Sequence, residues 1–163
     1  AVPYFYIEIV IDKQKIEDFI REKVSETDVF IVDISVKPGN LIQVYLDQPE
    51  GISLDTCVEF SRLIESNLDR ETEDFELQVS SAGLTLPLKV PQQYLKNLGN
   101  SLKASTLDGE DYVGLIKIVD DEGVELDVEV SVKAPGAKRK KIEIKSIRLE
   151  YKDIKTAKIN LKF

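Results

Sequence analysis

The hydrophobic positions change period along this 163-residue chain, and the change divides it into two regions. From Asp12, Ile16, Phe19, Ile20 and Val24 recur three and four apart with charges between them, which predicts a helix. Val29–Lys37 alternates instead, with Phe30, Val32, Ile34 and Val36 on one side, and reads as a strand. Pro38-Gly39-Asn40 is turn chemistry, so Leu41–Asp47 is the expected antiparallel partner. Gln48–Gly51 breaks the chain, and Ser53 is placed to cap a second helix. On that helix Leu54, Val58, Ile64 and Leu68 are expected on a common side, with Cys57 beside them. Glu73–Ser80 supplies a third strand, giving α-β-β-α-β, helices on one face of a small mixed sheet. If the second and third strands run parallel, a right-handed crossover is expected. Ala1–Ile11 is apolar and aromatic with only partial alternation, and takes no assigned element.

Residues 85–91 read as a linker through Pro87 and Pro91, and Gln92–Leu98 as a short helical turn ending at Gly99. After Gly99 the period becomes two. Ser101–Leu107, Tyr112–Val119, Gly123–Val132, Lys141–Arg148 and Lys155–Phe163 are strand-like, separated by Asp108-Gly109, Asp120–Gly123 and Pro135-Gly136. Five short strands with turn signals predict a small β-barrel, with Gly114 at a sharp bend. The expected organisation is an acidic α/β domain over 1–84, a linker over 85–91 and a barrel over 92–163.

Charge sharpens that division. Residues 1–84 carry 18 acidic against 7 basic side chains, while 85–163 carry 12 against 15, within a net charge of −8. An acidic half repels nucleic-acid phosphates and favours basic protein surfaces; only the second half suits phosphate. With 42% hydrophobic residues the chain can fill folded cores. It has no apolar run near the roughly 20 residues a membrane span needs, and no signal-peptide pattern at its start. Its single cysteine, Cys57, cannot form an internal disulfide and suits a reducing cytosol, so a cytoplasmic protein is expected; separately, a monomer is the expected state. The sequence contains no methionine, hence no initiator, and its start is expected to be processed or incomplete.

The absence of histidine removes His-based triads, His-ligated metals and the usual general base near neutral pH. Asp120-Asp121-Glu122 occupies a turn, lacks the ligand spacing of a calcium loop, and reads as a solvated acidic turn. Asp69, Glu71, Glu73 and Asp74 read as a polar helix end. Cys57 sits on an apolar helical face without a base, as a small core residue does. Ser80 and Ser81 lack the Gly-x-Ser-x-Gly frame of a nucleophile elbow, and no phosphate-cradling Gly-rich loop occurs. The expectation is a protein without catalytic residues, metal or cofactor. Lys133, Lys138, Arg139, Lys140 and Lys141 cluster at a hairpin where they can contact RNA phosphate or simply solubilise an exposed edge. No interleaved aromatics accompany them, so base-stacking readout of single strands is not supported.

The third strand runs into Val79-Ser-Ser-Ala-Gly-Leu-Thr-Leu-Pro-Leu88, where small residues bring exposed backbone N–H groups to a sheet edge. Read alone, this is a turn into a linker. It resembles the hallmark of the bacterial ribosome maturation factor RimP family, a strand entering Ser-Ser-Pro-Gly-Leu, usually Asp-Arg, then Pro-Leu. Glu50–Cys57, Ser61, Leu68-Asp-Arg70, Gly99 and Gly114–Leu126 resemble further family segments in the same order, over about Asp12–Lys158. The Gly114–Leu126 pattern is also similar to Sm-type barrels. The resemblance implies a KH-like α/β domain joined to an SH3/Sm-like barrel. It also implies a non-enzymatic role in assembling the small (30S) ribosomal subunit, bound as the free subunit. The implied partner is a basic ribosomal protein near the decoding region, with ribosomal RNA a further contact of the barrel. The charge division points to a basic partner independently. Ser80, Ser81, Gly83, Leu84, Pro87 and Leu88 match the motif and are the implied partner-binding surface. Ala82 stands where the family usually has proline, and Thr85 and Leu86 where it has the acid–arginine pair. The competing reading is a generic Sm/SH3-like RNA-binding module acting through the barrel alone.

Overall fold

The computed structural model describes residues 11–83, 86–136 and 138–160. The expectations for residues 1–10, Leu84, Thr85 and the last three residues of the final strand lie outside the described residues. The chain divides into two compact units between Ala82 and Gly83.

The first unit begins with helix α1, Lys13–Ser25, where the Asp12 carboxylate accepts the Gln14 N–H at 3.0 Å and satisfies one unpaired donor of the first turn. Strands β1 (Phe30–Lys37) and β2 (Leu41–Asp47) pair antiparallel around Pro38–Asn40. Two left-handed residues make that turn, Gly39 at φ 83° and Asn40 at φ 55°. Asn40 does more than turn the chain: its side chain accepts the Ile11 N–H and donates to the Asp74 carbonyl, joining the lead-ins of α1 and the third strand. Helix α2 (Leu54–Ser66) starts at Ser53, whose Oγ accepts the Thr56 N–H, and leads to β3 (Glu76–Ser81). The sheet order is β1-β2-β3, with β3 parallel to β2. Ile42, Val44 and Leu46 of the central strand are fully buried with Ile16 and Ile20 of α1 and Phe60 and Ile64 of α2. The opposite face is polar, and Ser35, Gln43 and Gln78 link the three strands side chain to side chain.

One expectation about α2 needs correction. Cys57, Phe60 and Ile64 are buried, whereas Leu54 is 78% and Val58 38% exposed. At 100° per residue Phe60 and Ile64 point the same way as Cys57, while Val58 is rotated onto the solvent flank and Leu54 sits in the first turn. Phe60, the largest fully buried side chain among the described residues, sets the stripe. Burial pushes the Cys57 thiol pKa up, in keeping with a core position.

The second unit opens with α3, Pro91–Lys96, one residue earlier than expected because proline suits a first helical position. The buried Gln93 reaches back so that its Oε1 accepts the N–H groups of Lys89 and Val90. Strands β4 (Ser101–Thr106), β5 (Asp111–Val119), β6 (Gly123–Val132), β7 (Lys141–Glu150) and β8 (Ile154–Ile159) form one antiparallel sheet ordered β7-β6-β5-β4-β8. The two edge strands are joined only by the 3₁₀ turn Tyr151–Asp153. A flat five-stranded sheet would hold its edges about 19 Å apart. Three linking residues reach at most about 14 Å, so the sheet curls. An α-β-β-α-β unit followed by an SH3/Sm-like sheet is thus the architecture. Leu102, Ala104, Ile116, Val124, Leu126, Leu149 and Ala157 fill this second core with Tyr94 of α3. Tyr94 packs on Tyr151 with ring centroids 5.1 Å apart, and burial first, then Tyr151, pushes its pKa up to about 12. Among the described residues no helix is long and apolar enough to cross a membrane.

Candidate interaction surfaces

The implied docking segment starts on β3, which pairs only with β2 among the described residues and is therefore an edge strand. Ser80 and Ser81 end it, opposite Tyr45 and Leu46, with both serines exposed. Ala82 is buried and its N–H donates to the Leu46 carbonyl at 3.2 Å, which extends the β2–β3 ladder by one bond. Proline has no N–H, so the alanine here supplies a bond that a proline at this position could not. Gly83 follows, exposed, at φ 67°. Further along, Leu86 is 41% exposed, Pro87 half-buried, and Leu88 packs on the second core while its N–H donates to the Ala157 carbonyl at 2.7 Å. The implied surface residues therefore fall into two sets: Ser80, Ser81 and Gly83 at an exposed strand end, and Leu88 bedded into the second unit with Pro87 half-buried before it.

The helices of the first unit present carboxylates to solvent. Asp18, Glu22 and Glu26 on or after α1 and Asp55, Glu59 and Glu65 on α2 are exposed. Some are engaged locally, as Glu59 is with Lys23 at 3.2 Å and Asp18 with Arg21 at 2.7 Å. The acidic run after α2 is structural in part: Asp69 accepts the Glu71 N–H and the Thr72 hydroxyl, and Arg70 stacks 4.1 Å over Phe75.

The basic residues sit at the far end of the β6–β7 hairpin. Lys133, Lys138, Arg139, Lys140 and Lys141 are all exposed, and among the described residues none forms an ion pair. Cations nearer the body of the sheet behave differently: Lys117 pairs with Asp127 at 3.7 Å and Lys152 with Glu150 at 3.2 Å. Sequence reasoning missed two neighbours of this tip, Ile142 and Ile144, which are 71% and 70% exposed. The signal was available. Apolar positions in β7 switch from even (Ile142, Ile144) to odd (Ile147, Leu149), which turns the first pair away from the core.

A cleft of about 410 Å³ in the second unit is lined by Asp108, Glu150 and Asp153 together with Arg148. There the Thr106 hydroxyl donates to Asp108, Lys152 pairs with Glu150, and Arg148 is held by Asp120. Asp120 corrects the picture of a purely solvated turn: its carboxylate accepts from Arg148, Glu122 N–H and Gly123 N–H, and its carbonyl accepts the Tyr151 hydroxyl.

A family model described as the RimP N-terminal domain matches residues 19–85, the unit that carries the edge strand and the Ser80–Gly83 turn. A ribosome maturation factor RimP of Porphyromonas gingivalis is 39% identical over 148 residues, 91% of this chain and 97% of its own length. The chain belongs to the RimP family. Relatives of the same name from Christiangramia forsetii and Flavobacterium psychrophilum are 37% and 34% identical, over 93% and 89% of this chain. They cover 99% and 94% of their own lengths, so the likeness to the RimP family runs through both units.

Proposed function

We propose that this protein is a ribosome maturation factor that binds the free small ribosomal subunit and assists its assembly by binding alone, without catalysis. Membership of a family whose relatives are named for ribosome maturation supports the general role. The observation that carries the finer reading is the charge division: 18 acids against 7 bases in residues 1–84, with exposed carboxylates along both helices of the first unit. Such a surface is complementary to a basic ribosomal protein, and repels bare RNA. Ser80, Ser81, Gly83, Leu84, Pro87 and Leu88 belong to the proposed docking segment. Lys133, Lys138, Arg139, Lys140 and Lys141 are the residues of the second unit suited to ribosomal RNA. Two modest contacts on one chain reinforce each other through effective concentration.

The test is co-sedimentation of the purified chain with free small subunits and, separately, with complete ribosomes at low salt. Pelleting with the free subunit in preference to the complete ribosome is the expected result. Failure to pellet with free subunits overturns the reading. The basic tip, whose cations form no ion pair among the described residues, supports a second reading, an Sm/SH3-like RNA-binding module acting through the barrel alone. That reading predicts that neutralising the exposed acids of α1 and α2 leaves subunit binding unchanged.

A further inference from the structure

The β6–β7 hairpin is longer than the sheet that supports it. Its strands pair at ten positions, from Gly123↔Glu150 to Val132↔Lys141, whereas β5 accompanies β6 only as far as Gly114↔Val128. Past Val128 the hairpin continues as a two-stranded ribbon, Glu129–Val132 against Lys141–Ile144. Isolated ribbons are marginal in water, so sequence spent on one calls for a use. Ile142 and Ile144 lie opposite Ser131 and Glu129 on one face, and are the opposite of edge protection. Between residues 129 and 145 there are six cations and two acids, in a chain whose net charge is −8.

The geometry points to the ribbon as an arm that grips double-helical RNA, an inference that deepens the proposed function and rests on it for the source of that RNA. The four consecutive cations Lys138–Lys141, with Lys133 across the loop, meet phosphates; the aliphatic faces of Ile142 and Ile144 lie against riboses in the wide, shallow minor groove. A duplex is favoured over a single strand because residues 129–145 contain no aromatic side chain on which an unstacked base could sit. A polyanion is favoured over a protein because the tip's cations are bunched and, among the described residues, form no ion pair, while the rest of the molecule is acidic.

The experiment measures binding of the full chain to an RNA duplex of about 20 base pairs, and to one of its strands, by fluorescence anisotropy through a salt series. The duplex binds more tightly. Replacing Lys138, Arg139, Lys140 and Lys141 by Gln reduces the log–log salt slope by about 3. Ile142→Ser with Ile144→Ser weakens duplex binding about tenfold and leaves both that slope and the urea midpoint unchanged. Equal affinity for the single strand, or duplex binding indifferent to both variants, overturns the arm. Loss of co-sedimentation in the ribbon variants with duplex affinity unaltered assigns the ribbon to a protein partner and also overturns it. Duplex binding by a chain that does not pellet with free subunits upholds the arm and removes the proposed function instead.

Discussion

Asp120 and Arg148, 28 residues apart, meet through two hydrogen bonds, Nη1 to Oδ2 at 2.5 Å and Nη2 to Oδ1 at 2.8 Å. Asp120 lies in the turn from β5 to β6, and Arg148 near the end of β7. The same carboxylate accepts two backbone N–H groups of its own turn, and the Asp120 carbonyl takes the Tyr151 hydroxyl at 2.9 Å. One residue thus fastens a hairpin turn to the point where β7 gives way to the 3₁₀ turn and the sheet curls.

Asp120→Asn is expected to lower the urea midpoint of the second unit in a pH-dependent way. The Arg148 hydrogen bond, then the Glu122 N–H, hold the Asp120 carboxyl well below the usual carboxylate range. A depressed folded pKa stabilises above the unfolded value of about 4, and that contribution is lost as pH falls below it. The gap between wild type and variant is therefore constant near neutrality and closes progressively below about pH 4. Both side chains are about half exposed, so added salt narrows it. Urea titrations from neutral pH into the acid limb check this, and a gap that does not change with pH refutes it.

Phe60→Ala should cost about 3–5 kcal/mol in the first unit, because Phe60 is fully buried between sheet and helices. Leu54→Ala on the same helix should change stability by less than about 0.5 kcal/mol, since Leu54 is 78% exposed. Equilibrium urea unfolding of the two variants separates the buried stripe of α2 from the one its sequence suggests.

That helix illustrates what could be read from the chain and what could not. The strands were legible because alternation and turn chemistry agree: β2 runs over Leu41–Asp47 and β6 over Gly123–Val132, both as read. Ser53 was legible as a cap because only a few side chains accept an N–H there. The stripe of α2 was not, because Leu54 and Val58 are as apolar as the residues buried, and only tertiary packing on β3 chooses between them. Asp120 was read as solvated for a similar reason: its partner Arg148 is distant in sequence, and no local pattern announces the pair. At the proposed docking segment, the motif does not reveal how its residues divide: Leu88 serves the second core while Ser80 and Ser81 stay exposed.

Gly114→Ala is expected to destabilise the second unit by about 1–3 kcal/mol through overpacking. The sequence suggested a bend; the structure gives a sharper reason. A Cβ at Gly114 would sit 2.6 Å from the Asp127 carbonyl oxygen and 2.9 Å from a Val128 methyl, on the neighbouring strand β6. The backbone oxygen cannot swing aside as a side chain can, so β5 and β6 must separate. A loss under about 0.5 kcal/mol by urea denaturation would show that the sheet accommodates the methyl.

Charge at the exposed end of β3 tests the docking reading without touching either core. Ser80→Lys with Ser81→Lys places two cations on the acidic first unit, at the strand end proposed to meet a basic partner. Co-sedimentation with free small subunits should weaken about fivefold, the equivalent of about 1 kcal/mol of unfavourable electrostatics. Ser80→Asp with Ser81→Asp adds charge of the attractive sign at the same two positions, and should hold or strengthen binding, more so at low salt. Both pairs of changes lie on exposed side chains, so the urea midpoint of the first unit should move little. The opposite signs carry the argument. If the lysine and aspartate variants weaken binding equally, the serines are needed for their size rather than for the field around them. If neither changes it, the partner does not approach this edge, and the exposed acids of α1 and α2 become the surface to vary instead.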